Sequence, residues 1–193
     1  TQAYEYLPIT SEQDLIANLR HQLEKLNNYQ FTDKEWEHFF KIKIANTNYG
    51  IVDKTNIIQE DYIQLLQRED GSVKNIYLLD KEHIHNNSLQ VINQYVPKGG
   101  AFENRYDVTI LVNGLPLVHV ELKRRGVHIK EAFNQIRRYN RDSFWAGSGL
   151  FEYVQIFVIS NGTHTKYYSN TTRTSHITEV TKGYKQKSKN QTS

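Results

Sequence analysis

YDVTILVNGLPLVHVELK, residues 106–123, is the stretch that decides the fold. Apolar and polar residues alternate in both halves, which predicts two half-buried β-strands. An Asn-Gly pair lies between the halves and is the usual signal of a two-residue hairpin loop. The stretch therefore predicts an antiparallel hairpin whose open end carries two acids and a lysine, Asp107, Glu121 and Lys123.

The loop signal and the apolar pattern disagree about the register of this hairpin. A two-residue loop would put Asp107 and Glu121 on opposite faces of the sheet, because side chains alternate between faces. A three- or five-residue loop, or a bulge, pairs Asp107 with Glu121. The same register pairs Thr109 with His119 and keeps the valines on the other face. We follow the apolar pattern and predict an odd loop or a bulge near residues 113–116.

Asp107 and Glu121, paired in this way, suit a divalent cation. Carboxylates directly opposite each other on paired strands have Cβ atoms about 4.5–5.5 Å apart. Hard oxygen ligands favour Mg²⁺, which binds through one or two carboxylates together with water and substrate phosphate. Lys123 points to the same face, where its ammonium can hold an attacking water and offset charge on a phosphate. The alternative is a solvated strand face, since Glu-x-Lys also occurs by chance.

A helix is predicted directly after the hairpin. Apolar residues recur at helical spacing from Ile129 to Ile136, so one helix face should pack on the sheet. Gln135 and Tyr139 are four residues apart and share another face. The alternative for this pair is an ordinary amphipathic helix with a partly buried tyrosine.

Basic residues are concentrated in the segment from residue 123 to residue 141. The segment contains seven Lys or Arg and one acid, although the net charge of the chain is only +3. Such a segment can bind a phosphate backbone without reading bases, and the alternative is a solvated helix face. The basic residues are Lys123, Arg124, Arg125, Lys130, Arg137, Arg138 and Arg141.

Composition limits the class of protein further. A chain of 193 residues with 38% hydrophobic content can bury one sizeable core, so one domain is the default. No apolar run is long enough to span a bilayer and no signal peptide is present. The chain has no cysteine, which excludes disulfides and thiolate zinc sites and fits a cytoplasmic protein.

The remaining sequence predicts helices and strands around the hairpin. Ser11 and Thr32 are predicted N-caps of two helices. From residue 170 onward the sequence is polar and has no apolar period, which predicts a linker. Strands are predicted at residues 63–67, 76–79, 89–96, 153–159 and 165–169.

Three segments carry a resemblance to a known family, NRYDVTILVNGLPLV at 104–118, ELK at 121–123 and EAFNQIRRY at 131–139. QIFVISNGT at 155–163 extends it, as IYLLDK at 76–81 does more weakly. They resemble the N-terminal nuclease domain of the restriction (motor) subunit of type I restriction–modification enzymes. The resemblance implies an α/β fold, the restriction-endonuclease-like PD-(D/E)xK core of the RecB-like branch, with a mixed central sheet flanked by helices.

The resemblance also implies catalytic roles. Asp107 and Glu121 would be catalytic metal ligands, helped by the backbone carbonyl of Leu122, and Lys123 would be the catalytic lysine. The metal would be Mg²⁺, for which Mn²⁺ can substitute.

A further implied role is the positioning of DNA. Gln135 and Tyr139 match the Gln-x-x-x-Tyr motif, which positions DNA near the metal. We assign the same role to nearby arginines of the basic segment, Arg124, Arg125, Arg137 and Arg138.

For the whole protein, the resemblance implies an endonuclease that hydrolyses phosphodiester bonds after ATP-driven translocation along DNA. Residues 1–170 would be the endonuclease domain, without the first helix of the family, and residues 171–193 a linker to a helicase-like motor. ATP would bind only in that motor, because this chain has no Gly-x-x-x-x-Gly-Lys-Ser/Thr loop. The partners would be double-stranded DNA and the modification (methyltransferase) and specificity subunits, with no membrane.

Two other functions remain open. One is a stand-alone repair or recombination nuclease of the same fold. The other is a non-catalytic DNA-binding or assembly module in which the carboxylates are vestigial. Intact Asp107, Glu121 and Lys123 argue against the second, because loss of any one of them would be the simplest way to lose activity.

Overall fold

A mixed six-stranded sheet forms the centre of the protein, in a computed structural model that describes residues 4–97 and 105–170. The strands are β1 (Glu5–Tyr6), β2 (Ile63–Gln67), β3 (Val73–Tyr77), β4 (Leu89–Tyr95), β5 (Tyr106–Val112), β6 (Leu115–Leu122), β7 (Ile156–Ser160) and β8 (Thr165–Ser169). The helices are α1 (Glu12–Asn27), α2 (Asp33–Phe39), α3 (Ile51–Gln59) and α4 (Ile129–Asp142), with a π-helical turn at Phe40–Ile44 and 3₁₀ turns at Ile84–Asn86 and Leu150–Tyr153.

The strand order in the main sheet is β1-β4-β5-β6-β7-β8. Strands β1 and β4 are parallel, as are β6 and β7, and the other neighbours are antiparallel. Strands β2 and β3 form a separate antiparallel hairpin. The prediction of an α/β fold with a mixed central sheet and flanking helices is confirmed.

The hairpin of β5 and β6 contains both a tight turn and a bulge. Asn113 and Gly114 have φ angles of +50° and +82°, which a two-residue turn of the Asn-Gly type requires. Our rejection of the two-residue loop was therefore wrong. The predicted irregularity is present as a bulge: Ile110 pairs with Val118, but the next residue, Leu111, pairs with Pro116.

The extra residue in this bulge is Leu117. Because Leu117 takes no place in the ladder, the residues after it keep the register that the apolar pattern requires, and Thr109 pairs with His119 as predicted. The tight turn also packs closely on helix α1. A Cβ atom on Gly114 would lie 2.6 Å from the Cα atom of Leu19, so only glycine fits at this position.

The two faces of the main sheet differ in burial. Thr109, Leu111, His119 and Glu121 are almost fully buried on one face, which we call the acidic face. Helix α1 packs on that face, and helix α4 contacts β6 and β7. The valine face is the opposite one and is lined by half-buried residues that do not belong to the fully buried core: Val91, Val108, Ile110, Val118, Val120 and Val158.

Several local predictions are confirmed and others shift by a few residues. The Ser11 and Thr32 side chains accept hydrogen bonds from the first turns of α1 and α2. The strand predicted at 153–159 begins only at Ile156, because the preceding residues form a 3₁₀ turn. The predicted linker at 171–193 lies outside the described residues. Within the part of the chain that is described, no helix is long and apolar enough to cross a membrane.

Candidate active site

The acids and lysine of the hairpin meet at the open end of β5 and β6. Asp107 is the second residue of β5, and Glu121 and Leu122 end β6. Lys123 follows directly, and its backbone N–H donates to the carbonyl of Ser160 over 2.8 Å. This bond continues the pairing of β6 with β7, so the backbone that carries Lys123 is held by the sheet.

Asp107 lies beside the backbone of Glu121 and Leu122. The paired part of β5 and β6 ends at Val108 with Val120, so the predicted pair of Asp107 with Glu121 lies one residue beyond it. The Oδ2 atom of Asp107 accepts a hydrogen bond of 2.8 Å from the backbone N–H of Leu122. The Asp107 carboxylate is half-buried and is therefore oriented by the end of β6 and still accessible from the surface.

Glu121 is completely buried, and its two carboxylate oxygens face different partners. Oε1 lies 3.0 Å from the Nζ atom of Lys123. Oε2 lies 3.6 Å from the Nε2 atom of His119 and has no hydrogen-bond partner among the described residues. A buried carboxylate needs a paired cation or a metal, and Lys123 is the cation present.

A chain of hydrogen bonds connects Lys123 to helix α4. The Lys123 ammonium donates to the Oε1 atom of Gln135, and the Nε2 atom of Gln135 donates to the Tyr139 hydroxyl. The hydroxyl in turn donates to the backbone carbonyl of Arg105 over 2.8 Å. Of the Gln-x-x-x-Tyr pair predicted from the sequence, Gln135 therefore contacts the lysine directly, and Tyr139 is connected to it through Gln135.

Tyr139 acts as a donor in this chain because it remains protonated. Burial raises the pKa of Tyr139 to about 12, and the nearby charges of Glu121 and Asp107 raise it as well, against a lowering by the hydrogen bond with Gln135. The side chain is only 1% exposed. Its hydroxyl is thus directed at Gln135 and Arg105 inside the protein, and its role in positioning DNA stays a prediction.

A cleft of about 560 Å³ opens next to the lysine. Among the four predicted arginines, Arg124 and Arg138 line this cleft, whereas Arg125 and Arg137 are exposed elsewhere. The side chain of Arg141 lies outside the described part of the chain. The lining residues are Leu122, Lys123, Arg124, Val127, Glu131, Asn134, Gln135 and Arg138.

The donor set at the hairpin end fits a hard cation that needs few protein ligands. Asp107 and Glu121 offer carboxylate oxygens, and Leu122 offers a backbone carbonyl between Glu121 and Lys123. Across residues 4–97 and 105–170, no three His, Cys, Asp or Glu side chains are grouped to hold a metal. Such a set fits Mg²⁺, which keeps several waters and completes its shell with phosphate oxygens, better than a metal that requires an all-protein cage.

Two groups of this site were not assigned from the sequence. His119 was expected on the same face as Asp107 and Glu121, at the surface or behind these predicted ligands, and it was not counted among the site residues. The backbone carbonyl of Arg105 has no sequence signal at all, because every residue carries a carbonyl group.

Comparison with known proteins assigns a family to most of the chain. The family model of the type I restriction enzyme R protein N terminus matches residues 2–176. The chain is similar to the EcoprrI type I restriction enzyme endonuclease subunit of Escherichia coli, with 50% identity over 173 residues, 89% of this chain and 55% of the relative.

More distant relatives share the same description. The SsaAORF53P type I restriction enzyme endonuclease subunit of Staphylococcus saprophyticus is 42% identical over 86% of this chain and 18% of the relative. A putative type I restriction enzyme endonuclease subunit, MjaIXP, from Methanocaldococcus jannaschii is 33% identical over 56% of this chain. The chain thus spans only part of the length of these relatives.

Proposed function

Since the chain belongs to the family of type I restriction enzyme R protein N termini, we propose that it is the DNA-cleaving domain of such a subunit. In this proposal it is a Mg²⁺-dependent endonuclease that hydrolyses phosphodiester bonds of double-stranded DNA. The observation that carries the proposal is the array of Asp107, Glu121 and Lys123 beside a basic cleft.

Asp107, Glu121 and the carbonyl of Leu122 would hold the metal. Bound Mg²⁺ would lower the pKa of a coordinated water and neutralise charge on the scissile phosphate. The carboxylate of Asp107 is oriented by its bond to the Leu122 N–H. Because its position is set before DNA arrives, little reorganisation is needed when the phosphate binds.

Lys123 would act on the attacking water and on the phosphate. Its ammonium is held from two sides, by Glu121 and by Gln135, and it is still 20% exposed. An ammonium fixed in this position can hydrogen-bond the water and stabilise the negative charge that develops in the transition state.

The basic cleft would bind the DNA backbone. Arg124 and Arg138 line it next to Lys123, and contacts of this kind position a duplex without reading its sequence. In the whole enzyme, sequence choice would therefore belong to the specificity subunit and protection to the modification subunit. ATP-driven translocation would belong to a motor domain of the longer subunit, and the complex would act in the cytoplasm.

Metal binding tests the proposal directly. We expect Mn²⁺ or Mg²⁺ to bind the chain in calorimetry, and we expect Asp107→Ala and Glu121→Ala to abolish binding because each removes one of two carboxylates. Glu82→Ala, which removes an exposed carboxylate outside the site, is the matched control and should bind as the wild type does.

Cleavage by the full-length subunit, assembled with its partners, completes this test. Nicking of plasmid DNA should disappear in Asp107→Ala and in Glu121→Ala, and it should persist in the control Glu82→Ala. Metal binding and nicking that survive both substitutions would contradict the proposal, and DNA binding without any nicking by the wild type would favour the non-catalytic module.

A further inference from the structure

His119 is a completely buried histidine in the middle of an aromatic cluster. Its ring makes edge contacts with Tyr106, Phe144 and Tyr139 at centroid distances of 5.4, 5.6 and 5.9 Å. Phe157 lies at 6.4 Å. The cluster holds the plane of the imidazole in one orientation, so the two ring nitrogens point in fixed directions.

Each imidazole nitrogen faces one side chain of the acidic face. Nδ1 lies 3.5 Å from the hydroxyl of Thr109, which is 1% exposed. Nε2 lies 3.6 Å from Oε2 of Glu121, and neither of these two atoms has a hydrogen-bond partner in the described part of the chain. Two buried polar atoms that face each other across 3.6 Å are each satisfied by a movement of a few tenths of an ångström.

The direction of this contact depends on the tautomer of His119. When the hydroxyl donates to Nδ1, the neutral imidazole carries its proton on Nε2, which then donates to Glu121. The two oxygens of Glu121 therefore differ. Oε2 is directed to the interior by His119, and Oε1 is directed to Lys123.

We propose that His119 is a positioning residue that fixes the Glu121 carboxylate for metal binding. The inference rests on the proposed function and deepens it, because it assigns the residue that orients a metal ligand. With Oε2 held by the imidazole N–H, the carboxylate cannot rotate, and Oε1 is presented toward Lys123 and the open end of the hairpin. Hydrogen-bonded partners of metal ligands commonly change metal affinity by about 10- to 100-fold.

A pair of substitutions separates this role from packing. His119→Phe keeps an aromatic ring in the cluster and removes the donor, whereas His119→Gln keeps a side-chain N–H in place of Nε2–H. We expect the Mn²⁺ dissociation constant, measured by calorimetry, to rise about 10- to 100-fold in His119→Phe and to stay near the wild-type value in His119→Gln. Thermal unfolding of each variant is the control for stability.

A second site keeps the test decisive if His119→Phe does not fold. Thr109→Val is nearly isosteric and removes the hydroxyl that sets the proton on Nε2, so it should weaken Mn²⁺ binding without unfolding the chain. Wild-type affinity in Thr109→Val and in His119→Phe, or an equal loss in His119→Phe and His119→Gln, would overturn the positioning role.

Two further readouts separate this inference from the proposed function. If Glu121→Ala retains metal binding, the proposed site itself is wrong. If Glu121→Ala loses binding and His119→Phe does not, only the role of His119 is wrong. Pulsed electron paramagnetic resonance of bound Mn²⁺ should show no coordinated nitrogen. A ¹⁴N coupling would indicate that His119 is itself a ligand and would overturn its positioning role.

Discussion

Lys123 is the residue on which the proposed chemistry depends most. It is the cation that faces the buried carboxylate of Glu121, and it is also hydrogen-bonded to Gln135 on α4. The choice of this lysine follows from the short Glu-x-Lys pattern, and the choice of its neighbours Asp107 and Glu121 as proposed metal ligands follows from the alternation of the strands. The connection to the carbonyl of Arg105 through Tyr139 does not follow from the sequence, because it depends on how α4 packs on the sheet.

Substitution of this lysine should separate cleavage from DNA binding. We expect Lys123→Ala to lower the cleavage rate by about 100- to 1,000-fold, because a fixed charge next to the transition state is lost. DNA affinity should change little, since Arg124 and Arg138 remain. Plasmid nicking and fluorescence anisotropy measure the two effects.

Lys130→Ala is the matched control, because Lys130 is exposed and does not line the cleft. It should leave the cleavage rate near that of the wild type. Equal cleavage by Lys123→Ala and the wild type would remove this lysine from the mechanism.

Within the hairpin, two local sequence signals are both correct, although they imply different registers. Asn-Gly indicated the turn, and the alternation of Val108 through Val120 indicated the register. Both hold, because one extra residue, Leu117, lies between them. An odd loop or a bulge near residues 113–116 was predicted from the conflict between the two signals, but its position at Leu117 was not, since an additional leucine in an apolar run leaves no mark in the sequence pattern. The register of His119 and Glu121 could be predicted from the sequence, because the register decides which side chains are buried.

The contact between the turn and α1 can be measured with two glycines. Gly71 and Gly114 both have φ +82°, but a Cβ on Gly71 meets nothing within 4 Å, whereas one on Gly114 meets the Leu19 backbone. We expect Gly71→Ala to lower the free energy of unfolding by about 1 kcal/mol, from the backbone conformation alone. Gly114→Ala should cost about 1–3 kcal/mol more, because α1 has to move.

Urea denaturation of the two variants gives this difference. The cost should appear in the midpoint of the transition, since the surface exposed on unfolding is the same. Equal costs for the two substitutions would mean that the turn and α1 separate easily.

The whole molecule combines a fully buried acidic face with a half-buried valine face. The aromatic cluster on the buried side includes Tyr95, Tyr106 and Tyr139, and Tyr153 is also fully buried. Its burial follows from the fold, which the sequence predicted in outline. The difference between the two faces was not predicted, because alternation identifies two faces of a strand but not which of them the helices cover.

Buried tyrosines should make stability fall in alkaline solution. Burial raises the pKa of Tyr95 and Tyr139 to about 12 and also raises the pKa of Tyr106 and Tyr153. Below pH 10 these phenols are protonated in both the folded and the unfolded chain. Between pH 10 and about 12 they ionise only in the unfolded chain, so the free energy of unfolding decreases as pH rises, by up to about 1.4 kcal/mol per pH unit for each tyrosine.

Denaturation at several pH values checks this sign. Tyr153→Phe should reduce the slope above pH 10, because it removes one of these buried phenols. An unchanged slope in Tyr153→Phe would show that this phenol ionises as readily in the folded chain as in the unfolded one.

The bulge at Leu117 also lets the hairpin lose one residue without a change of face. If Leu117 were deleted, Leu111 would still pair with Pro116 and Ile110 with Val118, so His119 and Glu121 would stay on the acidic face. A hairpin shortened by this single leucine should therefore keep the site, with a regular ladder in place of the bulge.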